Sequence, residues 1–289
     1  MTIRLIPTIE TLRAELDNAR AAGKQVGFVP TMGYLHDGHA SLMRAARSEN
    51  DLVVASIFVN PLQFGADEDL SSYPRNLERD TEISAEAGVD LIFNPAVDEM
   101  YPSGPVLSSV SVPTLSTRWE GATRPTHFAG MATVVTKLFW IVGACNAYFG
   151  EKDYQQLAII RRFVADLSIP VTVVGCPIVR AEDGLALSSR NSYLSESERS
   201  AASVLNRALR TGAALIEDGE TNPAVIMEAM AGVVGEEPLA TLDYAALVHP
   251  ATLEVPERIP SACRLLIAAQ VGRPRLLDNL GVNAPGGAP

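Results

Sequence analysis

Leu52 to Val59 reads LVVASIFV, apolar at every position except Ser56, and the run stops at Asn60-Pro61. Its length suits a strand, and it lacks the alternation of a strand with one wet face. It therefore predicts a strand buried on both sides, as in a parallel sheet covered by helices. Working outward, Val26–Val29 predicts a second buried strand, and Val89–Phe93, Ala147–Phe149 and Val171–Val174 predict three more. Between them lie helical patterns. Thr8–Ala22 has Ile9, Leu12 and Leu16 on one face, a capping Thr8 and a closing Gly23. His39–Ser48, Leu77–Ala87 with Gly88 behind it, Met131–Val142 and Asp153–Leu167 follow. Asn94–Gly130, rich in Pro, Ser, Thr and Gly, predicts mostly loop with one short strand. Alternating strands and helices predict an α/β fold with a parallel sheet covered on both faces.

The pattern changes near Pro177. Helices are expected at Glu196–Ile216 and Pro223–Val234, then strands at Tyr244–Val248, Leu265–Val271 and Leu276–Leu280. This order predicts a second, smaller α+β domain. The boundary is placed so that residues 1–178 form the first domain and 179–289 the second, with a disordered tail at 284–289.

Composition limits the function. The 289 residues contain 23 Lys and Arg against 34 Asp and Glu, a formal charge of -11. That balance argues against nucleic acid as the main partner. It leaves room for a small anion held by a few local cations and backbone N–H groups. Cys145, Cys176 and Cys263 are widely spaced and form no CxxC, which gives little support to a disulfide framework or structural zinc. The first residues lack a signal-peptide core, and the longest apolar stretch, Leu138–Phe149, is too short to span a bilayer. A cytoplasmic protein without a membrane partner is expected.

Four polar segments follow predicted strands or the domain change. Pro30–His39 (PTMGYLHDGH) lies between a strand and a helix, where a parallel sheet places its ligand. Its two histidines can donate to phosphate oxygens beside a helix N-terminus, or can be incidental loop residues. No third ligand for zinc is evident. Phe149–Gln156 (FGEKDYQQ) repeats the layout. There Lys152 can neutralise phosphate and Asp153 can accept from ribose, while Asp153 and Gln156 also have the spacing of a capping box. Leu187–Asn191 (LSSRN) offers two hydroxyls and a guanidinium to a triphosphate, or is an ordinary serine-rich loop. In Phe58–Gly65 (FVNPLQFG), Asn60 and Gln63 could orient a hydroxy acid, or the segment is a turn with a buried Phe64. Asp67, Glu68 and Asp69 suggest a solvated acidic turn. Neither a P-loop, a GxGxxG fingerprint nor a GxSxG elbow is present.

Together with RPTHFAGM (Arg124–Met131) and RLLDN (Arg275–Asn279), these segments closely resemble the pantothenate synthetase (pantoate–β-alanine ligase) family of the HxGH nucleotidyltransferase superfamily. The resemblance is dense to about residue 194 and thin beyond it. It implies a Rossmann-like amino domain and a carboxyl domain that closes over the nucleotide. It implies condensation of pantoate with β-alanine, using ATP and magnesium, through a pantoyl-adenylate. ATP would be lined by Met32, Gly33, Tyr34, Leu35, His36, Asp37, Gly38, His39, Gly150, Glu151, Lys152, Asp153, Val179, Leu187, Ser188, Ser189 and Arg190. Of these, His36, His39, Lys152, Ser188, Ser189 and Arg190 would act on the phosphates, with His36 in the role of proton donor. Gln63 and Gln156 would bind pantoate, with Gln63 also near β-alanine. Mg²⁺ would be held mainly through ATP phosphates, with Asp80 as an outer contact. A homodimer is expected from the family. Asp37, Tyr34 and Leu187 depart mildly from its commoner residues, and Tyr34 bears on the loop's shape.

Overall fold

The computed structural model describes residues 3–65, 70, 73–104 and 106–284. The described chain divides into two compact units, one within Met1–Glu151 and Gln155–Pro177, the other within Lys152–Tyr154 and Ile178–Pro289.

The first unit holds a six-stranded sheet of β1 (Arg4–Ile6), β2 (Val26–Thr31), β3 (Leu52–Ile57), β4 (Leu91–Phe93), β5 (Cys145–Gly150) and β6 (Val171–Cys176). Their order is β1-β4-β3-β2-β5-β6, and every pairing is parallel. The LVVASIFV run becomes β3. Val53, Ala55 and Ile57 join the core under the helix Asp37–Glu49, while Val54 between them is fully buried. Successive strand side chains face opposite ways, so both faces are dry.

The helices of this unit are α1 (Ile9–Ala21), α2 (Asp37–Glu49), α3 (Leu77–Glu86), α4 (Val97–Met100), α5 (Pro113–Ser116), α6 (Glu120–Thr123), α7 (His127–Val142) and α8 (Tyr154–Asp166, whose first residue groups with the second unit). Thr8 caps α1 by accepting from Thr11 N–H. Three expectations need correcting. Arg4–Ile6 is a strand that was not anticipated. Between Asn94 and Gly130 the described residues hold three one-turn helices and no strand. Helix α7 starts at His127, four residues before Met131, because Thr126 C=O already accepts from Gly130 N–H.

In the second unit, α9 (Glu196–Ala201), α10 (Val204–Glu217) and α11 (Pro223–Gly235) precede an antiparallel sheet, β7-β8-β9. These strands are Ala240–Val248, Ala262–Val271 and Arg275–Asn283. Leu205, Leu209, Ile226 and Met230 from the helices meet Leu265, Ile267 and Leu276 from the sheet. The single helix expected over Glu196–Ile216 is broken at Ala202–Ser203; a Ser195–Glu198 capping box starts the first piece. Ala284 N–H donates to Ser261 C=O, and residues 285–289 of the expected disordered tail lie outside the described residues. So do Asp67, Glu68 and Asp69 of the acidic turn.

Candidate active site

Strand order reverses beside β2. From it the chain runs outward through β3 and β4, then returns to add β5 and β6 on the other side. Ligands of open α/β sheets bind outside the carboxyl ends of the strands at such a switch point. The register pairs Phe28 with Ala147, so β2 and β5 end level, at Thr31 and Gly150. Thr31 pairs in turn with Ile57, the last residue of β3. Adjacent strands thus deliver PTMGYLHDGH, FVNPLQFG and Phe149–Glu151 to the carboxyl end of the sheet.

The loop after β2 is held by Asp80 of α3. Its Oδ2 accepts from Tyr34 N–H and its Oδ1 from Leu35 N–H, both at 2.7 Å. The carboxylate is 1% exposed. Asp80 is therefore a loop anchor, and its engaged, buried oxygens do not suit the expected outer contact to magnesium. Gly33 has φ 86, and a Cβ there would come within 2.9 Å of Asp80 Oδ2. Tyr34 also adopts a left-handed φ of 52, with Arg79 over its ring. A bulky residue thus sits where glycine is easiest.

His36 and His39 form a reciprocal cap at the start of α2. His36 Nδ1 accepts from Gly38 N–H at 3.1 Å, and His39 Nδ1 accepts from His36 N–H at 3.3 Å. Their rings are 4.2 Å apart. A nitrogen that accepts from a backbone N–H is unprotonated, so the neutral tautomer of each ring carries its proton on Nε2. Both rings are then Nε2–H donors at a helix N-terminus, a chemistry suited to phosphate oxygens.

The FVNPLQFG segment reaches PTMGYLHDGH. Gln63 Nε2 donates to Met32 Sδ at 2.8 Å, and Gln63 Oε1 accepts from Asn60 Nδ2 at 3.3 Å. The Gln63 carbonyl lies 3.0 Å from His127 Nδ1. Asn60 is fully buried, bridging Gly130 C=O, Leu62 N–H and Tyr101 Oη. Helix α7 crosses so closely that a Cβ on Gly130 would lie 2.0 Å from Leu62 O. Gln63 is the buried residue of this turn and Phe64 is only half-buried, which corrects the expectation of a buried Phe64. Gln156 is half-buried on α8, while its neighbour Gln155 is buried and holds the Leu115–Glu120 segment through Leu115 C=O, Arg118 C=O and Glu120 N–H. Gly150 ends β5 and Glu151 follows it, both in the first unit.

The remaining candidates belong to the second unit. Val179 and Leu187 pair across a hairpin through Leu187 N–H and Val179 C=O, and Gly184 makes its turn with φ 89. Ser188 caps the following turn by accepting from Arg190 N–H. Lys152, Ser188, Arg190 and Asn191 line one small cleft with Arg275 and Asp278. Lys152 Nζ lies 3.5 Å from Asp153 Oδ1, and Asp153 is exposed. Asn60, Asp80 and Gln155 were not marked as loop anchors in the sequence. Asp278 and Asn279 were visible only as part of RLLDN.

A parallel sheet with a histidine-capped helix at its switch point is the layout in which open α/β proteins bind their ligands. A family model described as pantoate–β-alanine ligase matches residues 4–281, and the chain belongs to this family. The pantothenate synthetase of Sinorhizobium medicae is 55% identical over 96% of this chain and 95% of its own. That of Clostridium botulinum is 46% identical over 96% and 98%. The crystal structure of pantothenate synthetase from Thermus thermophilus superposes with TM-score 0.91 at 50% identity, covering 96% of this chain and 99% of that one. The pantoate–β-alanine ligase of Francisella tularensis, solved with β-γ ATP and β-alanine, has TM-score 0.78 at 35% identity over 96% and 97%.

Proposed function

We propose that the protein condenses pantoate with β-alanine at the expense of ATP, yielding pantothenate, AMP and pyrophosphate. The observation that supports this most is the His36–His39 cap at the switch point of a chain in the pantoate–β-alanine ligase family. A pantoate carboxylate oxygen attacks the α-phosphorus and pyrophosphate leaves, giving a pantoyl-adenylate. The neutral amine of β-alanine then attacks the acyl carbon and AMP leaves. Negative charge spreads over phosphoryl oxygens in the first step, so positioned donors act where charge develops.

From the first unit, His36 and His39 donate to phosphate oxygens through Nε2–H, and Met32–Leu35, Asp37, Gly38, Gly150 and Glu151 line the nucleotide. Gln63 and Gln156 hold pantoate. From the second unit, Lys152, Ser188, Ser189 and Arg190 serve the phosphates, Asp153 the ribose, and Val179 and Leu187 the adenine side. Among the described residues no group of three or more His, Cys, Asp or Glu could hold a metal ion. Magnesium enters with ATP on its phosphates, and no protein ligand is assigned. No helix among the described residues is long and apolar enough to cross a membrane. A homodimer, on family grounds, and a cytoplasmic location, on composition, complete the reading.

The test is AMP formation with ATP, pantoate and β-alanine, omitting each in turn. AMP should appear only with all three. His36→Ala and Lys152→Ala should each slow pantoate-dependent pyrophosphate release by about 10²–10³. Normal release by both variants would overturn the assignment.

A further inference from the structure

Lys152 lies in a three-residue segment that groups with the second unit. What holds it there is the strand β9. Asn279 is 1% exposed, and its Nδ2 donates to Lys152 C=O at 2.7 Å. Its other side-chain atom, Oδ1, accepts from Arg264 Nε at 2.8 Å. Donor and acceptor are thus fixed by opposite partners, which sets the orientation of the amide. The Arg264 guanidinium also lies 3.9 Å from the ring centroid of Tyr154, whose hydroxyl donates to Pro250 C=O. A Cβ on Gly281 would come within 2.7 Å of Arg264 Nη1, so the bare glycine leaves the guanidinium its place. One residue earlier, buried Asp278 forms a bidentate pair with Arg180 at 2.6 and 2.9 Å. Arg180 also donates to Gly184 C=O, inside the hairpin that leads to Ser188–Arg190. Two consecutive residues of β9 therefore fix the main chain on both sides of the cleft that Lys152, Ser188 and Arg190 line.

We propose that Asn279 is a positioning residue for Lys152, setting through the Lys152 carbonyl where its ammonium stands relative to the Ser188–Arg190 loop. This rests on the assignment of Lys152 to the phosphates. Asn279→Asp is the informative change. It keeps an acceptor for Arg264 but turns a carboxylate oxygen toward the Lys152 carbonyl, where a donor is needed. Two rates are measured: pantoate-dependent ATP–pyrophosphate exchange, and single-turnover conversion of supplied pantoyl-adenylate by β-alanine. Asn279→Asp should slow exchange by about tenfold to a hundredfold, the scale of a misplaced catalytic group, and leave the second rate unchanged. In a Lys152→Ala background it should slow exchange no further.

A merely structural role would lower both rates together, and full additivity with Lys152→Ala would equally overturn the proposal. Normal exchange by Lys152→Ala alone would instead refute the phosphate role of the lysine, and this inference with it. Impaired Lys152→Ala with normal Asn279→Asp would refute only this inference. If Asn279→Asp does not fold, Arg264→Met frees the amide from its orienting partner, and the same pair of rates is read. A selective loss of exchange supports the proposal, and unchanged exchange overturns it.

Discussion

Asp80 and Asp278 are both buried carboxylates, and each fixes a loop that carries motif residues. They do it with different chemistry. Asp80 takes two backbone N–H groups directly, so it dictates the conformation of Tyr34 and Leu35. Asp278 works through Arg180, whose guanidinium spreads its donors over Gly184 and Asn279 carbonyls as well. The first arrangement forces a shape on one peptide pair, including a left-handed Tyr34. The second ties two chain segments at a chosen distance. Neutral backbone donors suffice to shape one peptide pair; the guanidinium of a charged pair also reaches carbonyls on both of the segments it joins.

The contrast breaks first at Asp278. Asp278→Asn leaves the half-buried Arg180 without its counter-charge and should cost about 3 kcal/mol in urea denaturation, the lower end for a broken buried pair. Asp80→Asn keeps one acceptor and turns an amide donor against a backbone N–H. It should cost about 1–3 kcal/mol, with a further slowing of pyrophosphate release because the histidine cap begins one residue beyond Leu35. Equal stability losses for the two variants would erase that distinction. The smallest effect is expected at Tyr34. Tyr34→Gly removes a left-handed tyrosine and should stabilise the chain by at most about 1 kcal/mol in thermal unfolding, less whatever the Arg79 contact contributes. A clear destabilisation would mean that Asp80 does not impose strain on the loop.

The same contrast explains what was legible in the sequence. Long apolar runs announce themselves, and LVVASIFV with the strand–helix alternation around it was enough to predict a parallel sheet. The apolar face of α1 was equally plain. Arg4–Ile6 was missed because three residues with one buried side chain give no period to detect. The four-residue helices α4, α5 and α6 are each about one turn, too short for a 3.6-residue rhythm to repeat. The candidate residues were legible as motifs, through their types and order. Their anchors were not. Asp80 lies 45 residues from Leu35 and Asn279 lies 127 residues from Lys152, and nothing local marks such partnerships. Asp80 in particular looks like any acid in the first turn of a helix until its two backbone donors are known.

The grouping of Lys152–Tyr154 with the second unit has a consequence for modularity. A fragment ending at Pro177 carries this lysine but lacks Asn279 and Arg264, while a fragment starting at Ile178 carries both holders and nothing to hold. The two units are therefore not exchangeable cassettes. Recombination at the obvious boundary would splice a foreign β9 against a native tripeptide. Chimaeras between relatives should keep their chemistry only where both are inherited from the same parent.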